Sequence, residues 1–277
     1  MLHFSIYKRP LVEGLILFKH QTAMWKPASP YNNLPELPPP FRETAKIFRQ
    51  TTQSRVALER LHQTVRLLPE KEIFVQIIPV LEAQASSEIE NIVAATDNLF
   101  KYLDADTQAD DAAKEVLRYR QALWKGMDSL KRCPLSLRTM TAVSSTLRGS
   151  KVSVRKLNGT CIASASSGQV IYTPPAGEAL ILEKLHNLVE FLHSPSEMDP
   201  LVKMAIAHYQ FEAIHPFSDG NGRTGRVLNI LYLAESGLLS QPVLYLSRYI
   251  IQNIRRSSQR HKRRGLGGLD SFHASGC

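Results

Sequence analysis

The chain has 277 residues, 43% of them hydrophobic, with 34 Lys+Arg against 25 Asp+Glu. That length suits one large domain or two modest ones around a proper apolar core, and no apolar run reaches the roughly 18 residues of a membrane-spanning helix. The three cysteines (Cys133, Cys161 and Cys277) share no metal-like spacing, which argues against a zinc site or a disulfide framework and fits a reducing cytoplasm.

The net charge of +9 has a local origin. Residues 254–264 carry six positive charges and no acidic residue, two thirds of the excess. Basicity of this kind belongs to a tail rather than to a folded face. Scattered arginines give non-specific, salt-sensitive phosphate contacts, and no aromatic platform or groove-reading helix accompanies them. A nucleic-acid partner is therefore not expected, and neither is a membrane.

In the first 23 residues, Leu15-Ile16-Leu17-Phe18 follows Glu13 and Gly14. An uninterrupted apolar region and a small-residue cleavage site, which a signal peptide needs, are both missing. Met24 opens a different kind of sequence and reads as the natural start of translation. Trp25 to Pro40 is a proline- and asparagine-rich arm that cannot form a helix. From Phe41 to about Lys131 the patterning is helical, with Val56, Leu58, Leu61, Val65 and Leu68 at helical intervals. Pro79 sits where a helix could begin. Asp110–Lys131 predicts one long amphipathic helix with an acidic start and a basic end, matching the helix dipole.

Two short β-prone runs follow, Gly159–Ala163 and Gln169–Thr173, joined by the turn-forming Ser164-Ala165-Ser166-Ser167-Gly168. They predict a hairpin. Helical spacing resumes at Leu182, Leu185, Leu188, Val189 and Leu192, and again at Leu201, Met204, Ala205, His208 and Phe211.

After that last helix comes His215-Pro216-Phe217-Ser218-Asp219-Gly220-Asn221-Gly222-Arg223-Thr224-Gly225-Arg226. Two glycines flanking an asparagine let the backbone approach an anion, with amide hydrogens turned toward it. The helix that follows presents its positive end to the same anion. Arg223 and Arg226, three residues apart on one helical face, can clamp charge together. Asp219 is a hard oxygen ligand suited to a magnesium ion bridging phosphate oxygens. His215 titrates near neutral pH and can take a proton from a hydroxyl.

This stretch resembles the Fic signature His-x-Phe-x-Asp/Glu-Gly-Asn-Gly-Arg-x-x-Arg, and the resemblance extends from about Trp25 to Asn253. It implies an all-α fold: a Fic-type helical core with a small β-hairpin flap and an N-terminal helical domain. It also implies a protein adenylyltransferase that transfers AMP from ATP to a Ser, Thr or Tyr hydroxyl of a target protein, with Mg²⁺. By that resemblance His215 is the general base, Phe217 a buried anchor and Asp219 the Mg²⁺ ligand. Gly220, Asn221, Gly222, Thr224 and Gly225 belong to the phosphate cradle, and Arg223 and Arg226 hold the β- and γ-phosphates.

Ser86-Ser87-Glu88-Ile89-Glu90-Asn91 is similar to the family's inhibitory motif, with Ser86, Glu90 and Asn91 in the matching places. The resemblance pairs Glu90 with Arg226, which cannot donate fully to a carboxylate and a phosphate at once. It also makes the hairpin a flap on which a target segment adds as a strand. Thr160, Cys161, Ile162, Ala163, Ile171 and Tyr172 are its candidate contacts, and Tyr172 a candidate wall of the nucleotide site. A homodimer is implied as well.

The implied organisation is a poorly ordered extension over 1–23, an N-terminal helical domain over 24–131, the Fic core over 132–253 and an atypical basic tail over 254–277. Relatives continue instead with an acidic-aromatic helix carrying a tyrosine pair beside the adenine, then a tryptophan-bearing helix. One codon choice for Leu266–Gly276, read one nucleotide later, encodes Leu-Glu-Ala-Trp-Ile-Leu-Ser-Met-Leu-Gln-Gly. The tail thus reads as a reading-frame shift. Two functional readings stand: an autoinhibited adenylyltransferase of the cytoplasm, or an inactive or truncated Fic pseudoenzyme acting as a nucleotide- or protein-binding module.

Overall fold

A computed structural model describes residues 26–101, 110–156, 158–164, 167–253 and 272–276. The 1–23 extension and the basic run of the tail lie outside the described residues, as does most of the segment on which the frame-shift reading rests. In chain order the elements are α1 (Ala45–Leu67), α2 (Lys71–Ile89), α3 (Thr96–Lys101), α4 (Asp111–Leu130), α5 (Leu137–Arg148), β1 (Thr160–Ser164), β2 (Val170–Tyr172), α6 (Glu178–His193), α7 (Pro200–Ile214), α8 (Asn221–Glu235) and β3 (Phe272–Gly276). Residues 246–253 are also helical. The fold is mostly α, as the patterning predicts, and no described helix is long and apolar enough to cross a membrane.

The chain forms two compact units, and the division falls within α1. One comprises Ser54–Ser153 and Gly220–Ile251. Its central helix is α4, packed against α2, α5 and α8. The Asp110 carboxylate caps α4 by accepting the Ala113 N–H at 2.7 Å. Val116, Leu117, Tyr119 and Leu123 then bury one stripe, and Lys131 closes the helix, so the sequence gives both its ends. Gly126 lets α8 come close, since a Cβ there would lie 2.5 Å from Leu231 Cδ1.

Two details differ from the sequence expectation. Pro79 lies inside α2 rather than at its start. It removes one backbone hydrogen bond, a cost offset by burying Pro79, Val80 and Ala83. On α1 the buried stripe is Ile47, Thr51, Leu58 and Val65, while Val56 is 47% exposed. Residues two positions apart do not share a helical face, so Val56 cannot join Leu58.

Of the described residues, the other unit comprises 26–53, Val154–Asp219, 252–253 and 272–276. Here α6 and α7 pack together. Asp199 caps α7 on the Leu201 N–H at 2.8 Å, with Pro200 in the first turn. Of the expected stripe of α7 only His208 and Phe211 are buried, while Leu201, Met204 and Ala205 are half-buried; Val202, Ile206, Ala207 and Gln210 are buried outside it. A helix apolar on most sides is an interior helix and has no single apolar face.

The arm is extended, as its prolines require, and polar side chains hold its backbone. Lys184 Nζ donates to the Leu34 carbonyl at 2.7 Å and Gln210 Nε2 to that of Pro35 at 2.8 Å. Asn187 exchanges two bonds with Leu37, one in each direction. The hairpin forms antiparallel, pairing Ile162 with Tyr172 and Ala163 with Val170 across a bulge. The sequence does not announce the third strand. β3 pairs antiparallel with β1, Thr160 opposite Gly276 and Ser164 opposite Phe272, giving the order β2-β1-β3. Cys133 is a free, exposed thiol, and Cys161 is buried on β1.

Candidate active site

The motif begins where α7 ends. His215 is the C-cap of α7, in the left-handed region at φ 50°, and its N–H donates to the Phe211 carbonyl at 3.0 Å. The residue is 6% exposed. Two positions on, Phe217 is fully buried against Phe211, ring centroids 6.2 Å apart. This apolar anchor ties down a turn that then rises to the exposed Ser218 and Asp219.

Arg155 is the residue here that sequence reasoning missed. Its Nε donates to the His215 carbonyl at 2.8 Å, and its Nη2 to the carbonyls of Ile214, at 3.2 Å, and Pro175. Its own N–H donates to the Pro216 carbonyl at 2.9 Å. Burial lowers its pKa, yet a guanidinium stays charged and binds carbonyls well. Tyr172, from the hairpin, donates its hydroxyl to the Ala213 carbonyl at 2.9 Å. Burial raises the Tyr172 pKa, so this phenol stays protonated.

The rest of the motif is helical. α8 starts at Asn221, so Gly222, Arg223, Thr224, Gly225 and Arg226 lie in its first turns and not in a loop. Gly220 alone takes the left-handed conformation, φ 76°, and its carbonyl accepts the Thr224 N–H at 2.9 Å. The first amides of α8 belong to the set that an α-helix leaves without intrahelical partners, and they point along the positive end of its dipole. A phosphate suits that end. Both arginines are buried and each meets a carboxylate from another helix. Arg223 Nη1 pairs with Glu115 of α4.

Arg226 is engaged by the end of α2. Its Nε donates to Ser86 Oγ at 2.7 Å, and its Nη2 to the Ser86 carbonyl and to Glu90 Oε1, both at 2.9 Å. The structure thus brings together two residues 136 positions apart. Glu90 is the C-cap of α2 and Asn91 follows at φ 63°. The N–H of Asn91 bonds to Glu88 O and that of Ile92 to Ser87 O, a Schellman closure. Asn91 therefore stops the helix where Glu90 can face Arg226.

One turn before Ser86, Glu82 is buried and accepts from Ser247 N at 2.8 Å, Ser247 Oγ at 2.5 Å and the Tyr119 hydroxyl at 3.3 Å. Burial pushes its carboxyl up to about 7, against the opposing pull of Ser247, Arg226 and Tyr119. The sequence singles out Glu90, just past the end of α2, through its motif; Glu82 belongs to no motif.

Among the described residues, no group of three or more His, Cys, Asp or Glu stands together to hold a metal. A single exposed carboxylate such as Asp219 fits Mg²⁺ in the way that ion is commonly bound, shared with phosphate oxygens and water. Of the hairpin candidates, Thr160, Cys161, Ile162 and Ala163 lie on β1, whose second edge pairs with β3, while Ile171 and Tyr172 lie on β2 at the other side of the sheet, where the Tyr31 ring meets Tyr172.

A Fic/DOC family N-terminal model matches residues 48–128 and a Fic/DOC family model matches residues 135–233. The chain belongs to the Fic/DOC family. Protein adenylyltransferase fic-1 of Caenorhabditis briggsae is 47% identical over 68 residues, which are 24% of this chain and 13% of that protein. Protein adenylyltransferase Fic of Drosophila melanogaster is 40% identical over 63 residues, 23% of this chain and again 13% of that protein. The chain thus matches only a small part of these longer relatives. The crystal structure of a Fic family protein from Desulfovibrio desulfuricans G20 superposes with a TM-score of 0.54 over 80% of this chain and 77% of that one. At 18% identity that likeness shows the fold.

Proposed function

We propose that the protein is an adenylyltransferase that moves AMP from ATP onto a Ser, Thr or Tyr hydroxyl of a target protein, and that Glu90 holds it inhibited through Arg226. The pairing of Glu90 with Arg226 at 2.9 Å is the observation that carries this reading. The adenylyltransferase names of the partial relatives support it. The two family-model matches support a division near residue 132, with the helical N-terminal part before it and the Fic core after it.

In this reading His215 takes the proton of the target hydroxyl as its oxygen bonds to the α-phosphorus. The bond from that phosphorus to the β-bridging oxygen breaks, and pyrophosphate leaves with the electron pair. Gly220, Asn221 and Gly222 cradle phosphate at the start of α8, with Thr224 and Gly225 packed beneath. Arg223 and Arg226 neutralise the charge that gathers on the departing group, the main demand of transfer at phosphorus. Mg²⁺, held by Asp219 together with the phosphates, would add charge neutralisation there. Glu90 blocks this arrangement by occupying donors that the γ-phosphate needs. The hairpin, through the β2 edge or by displacement of β3, takes the target segment as an added strand.

Labelled-ATP incorporation tests the reading. Glu90→Gly should raise auto-modification about tenfold or more over wild type, and adding His215→Ala should abolish it. Arg226→Ala should cost about 100-fold or more in either background, the scale for removing one donor to developing charge. A folded Glu90→Gly sample that binds ATP and incorporates nothing would refute catalysis and leave a nucleotide-binding module.

A further inference from the structure

We propose that Arg155 is a positioning residue for His215: its guanidinium and its own N–H fix the left-handed turn that aims the imidazole, and its bond to Pro175 joins that turn to the exit of the hairpin. The role assigned to His215 here rests on the transferase reading above.

The carbonyls at the end of α7 need donors that the helix cannot supply. The hairpin and the segment before it supply them: Tyr172 of β2 serves Ala213, and Arg155 serves Ile214, His215 and Pro216. A cation at a helix C-terminus is also favoured by the dipole. His215 is a non-glycine residue at φ 50°, a conformation that L side chains rarely adopt without external support. Arg155 provides that support, since three of its four bonds fall on consecutive carbonyls through the turn. The guanidinium is planar and five-donor, so it holds several acceptors in one fixed geometry, which an ammonium cannot do.

The clamp also joins two parts of the proposed reaction. Pro175 follows β2, so one side chain ties the hairpin's exit to the backbone of the base. A target strand settling on the hairpin would therefore act on a turn that is already fixed, and His215 would not need to be ordered at each turnover.

The experiment compares Arg155→Ala and Arg155→Lys with Arg155 intact, all in the Glu90→Gly background. Misplacing a catalytic group by about 1 Å costs about 100-fold, so Arg155→Ala should lower kcat on that scale while the KM for ATP stays within about twofold. Arg155→Lys should recover about tenfold of the loss, since one ammonium replaces only part of the fork. Added guanidinium ion should restore rate to the alanine variant and not to wild type. A kcat unchanged by Arg155→Ala, or a fall matched by an equal rise in KM, overturns the proposal.

A second readout needs no activity. The imidazole signal of His215, assigned by its loss in His215→Ala, should shift in position and titration midpoint in Arg155→Lys, a variant expected to fold. An unmoved signal overturns positioning by Arg155. Transfer that persists in His215→Ala would instead sink the role of the base and leave the imidazole measurement standing.

Discussion

Glu82 shows how one buried side chain can set a pH dependence. Its folded-state pKa, about 7, lies above the ordinary 4.5 because desolvation outweighs the donors of Ser247, the Tyr119 hydroxyl and the charge of Arg226. An acid whose pKa rises on folding stabilises fully below its unfolded value, and that stability is lost as pH rises through the folded value. A shift from 4.5 to about 7 corresponds to about 3 kcal/mol. Denaturant unfolding of the wild type should therefore weaken between about pH 4.5 and 7 by an amount of that order. Glu82→Gln, a neutral isostere, should flatten that slope. An unchanged slope in Glu82→Gln would assign the titration to another group.

Among the elements, the end of α2 is where local geometry and proposed regulation meet. Asn91 holds φ 63° in the Schellman closure that places Glu90 at the helix terminus. Asparagine tolerates this region, glycine more so, and alanine costs about 1 kcal/mol or more. Asn91→Ala should then loosen the placement of Glu90 and raise basal auto-modification, while Asn91→Gly should leave it near wild type. Equal activity in all three would show that the cap does not position Glu90. How far each element was legible follows from how local its causes are. α4 was readable to both ends because Asp110, the apolar stripe and Lys131 are all near neighbours in sequence. The signature at α8 was readable as chemistry, and the spacing of Arg223 and Arg226 as one helical face, but the start of the helix as early as Asn221 was not, because the run there is glycine-rich. Arg155 and Glu82 were invisible. Each acts on groups more than 15 positions away, largely on backbone atoms in the case of Arg155, and neither belongs to a pattern. β3 was unreadable because its pairing with β1 is set by a contact across more than 100 residues.

At the scale of the whole molecule the question is where its positive charge acts. Of the net +9, six charges sit within residues 254–264. The buried arginines of α8 are already met by Glu115 and Glu90, so they lend little to an outward field. The remaining surface then carries only a small excess, too little for the counterion release that drives binding to a polyanion. A chain ending at Asn253 should lose retention on heparin or duplex DNA, whereas the full chain should be retained with a steep salt dependence, close to one counterion per phosphate neutralised. Auto-modification in the Glu90→Gly background should be indifferent to duplex DNA in both lengths. If the shortened chain keeps the same salt slope, a basic face lies on the folded units themselves, and nucleic acid returns as a partner. If DNA alters transfer only in the full chain, the tail is a regulatory element of the transferase.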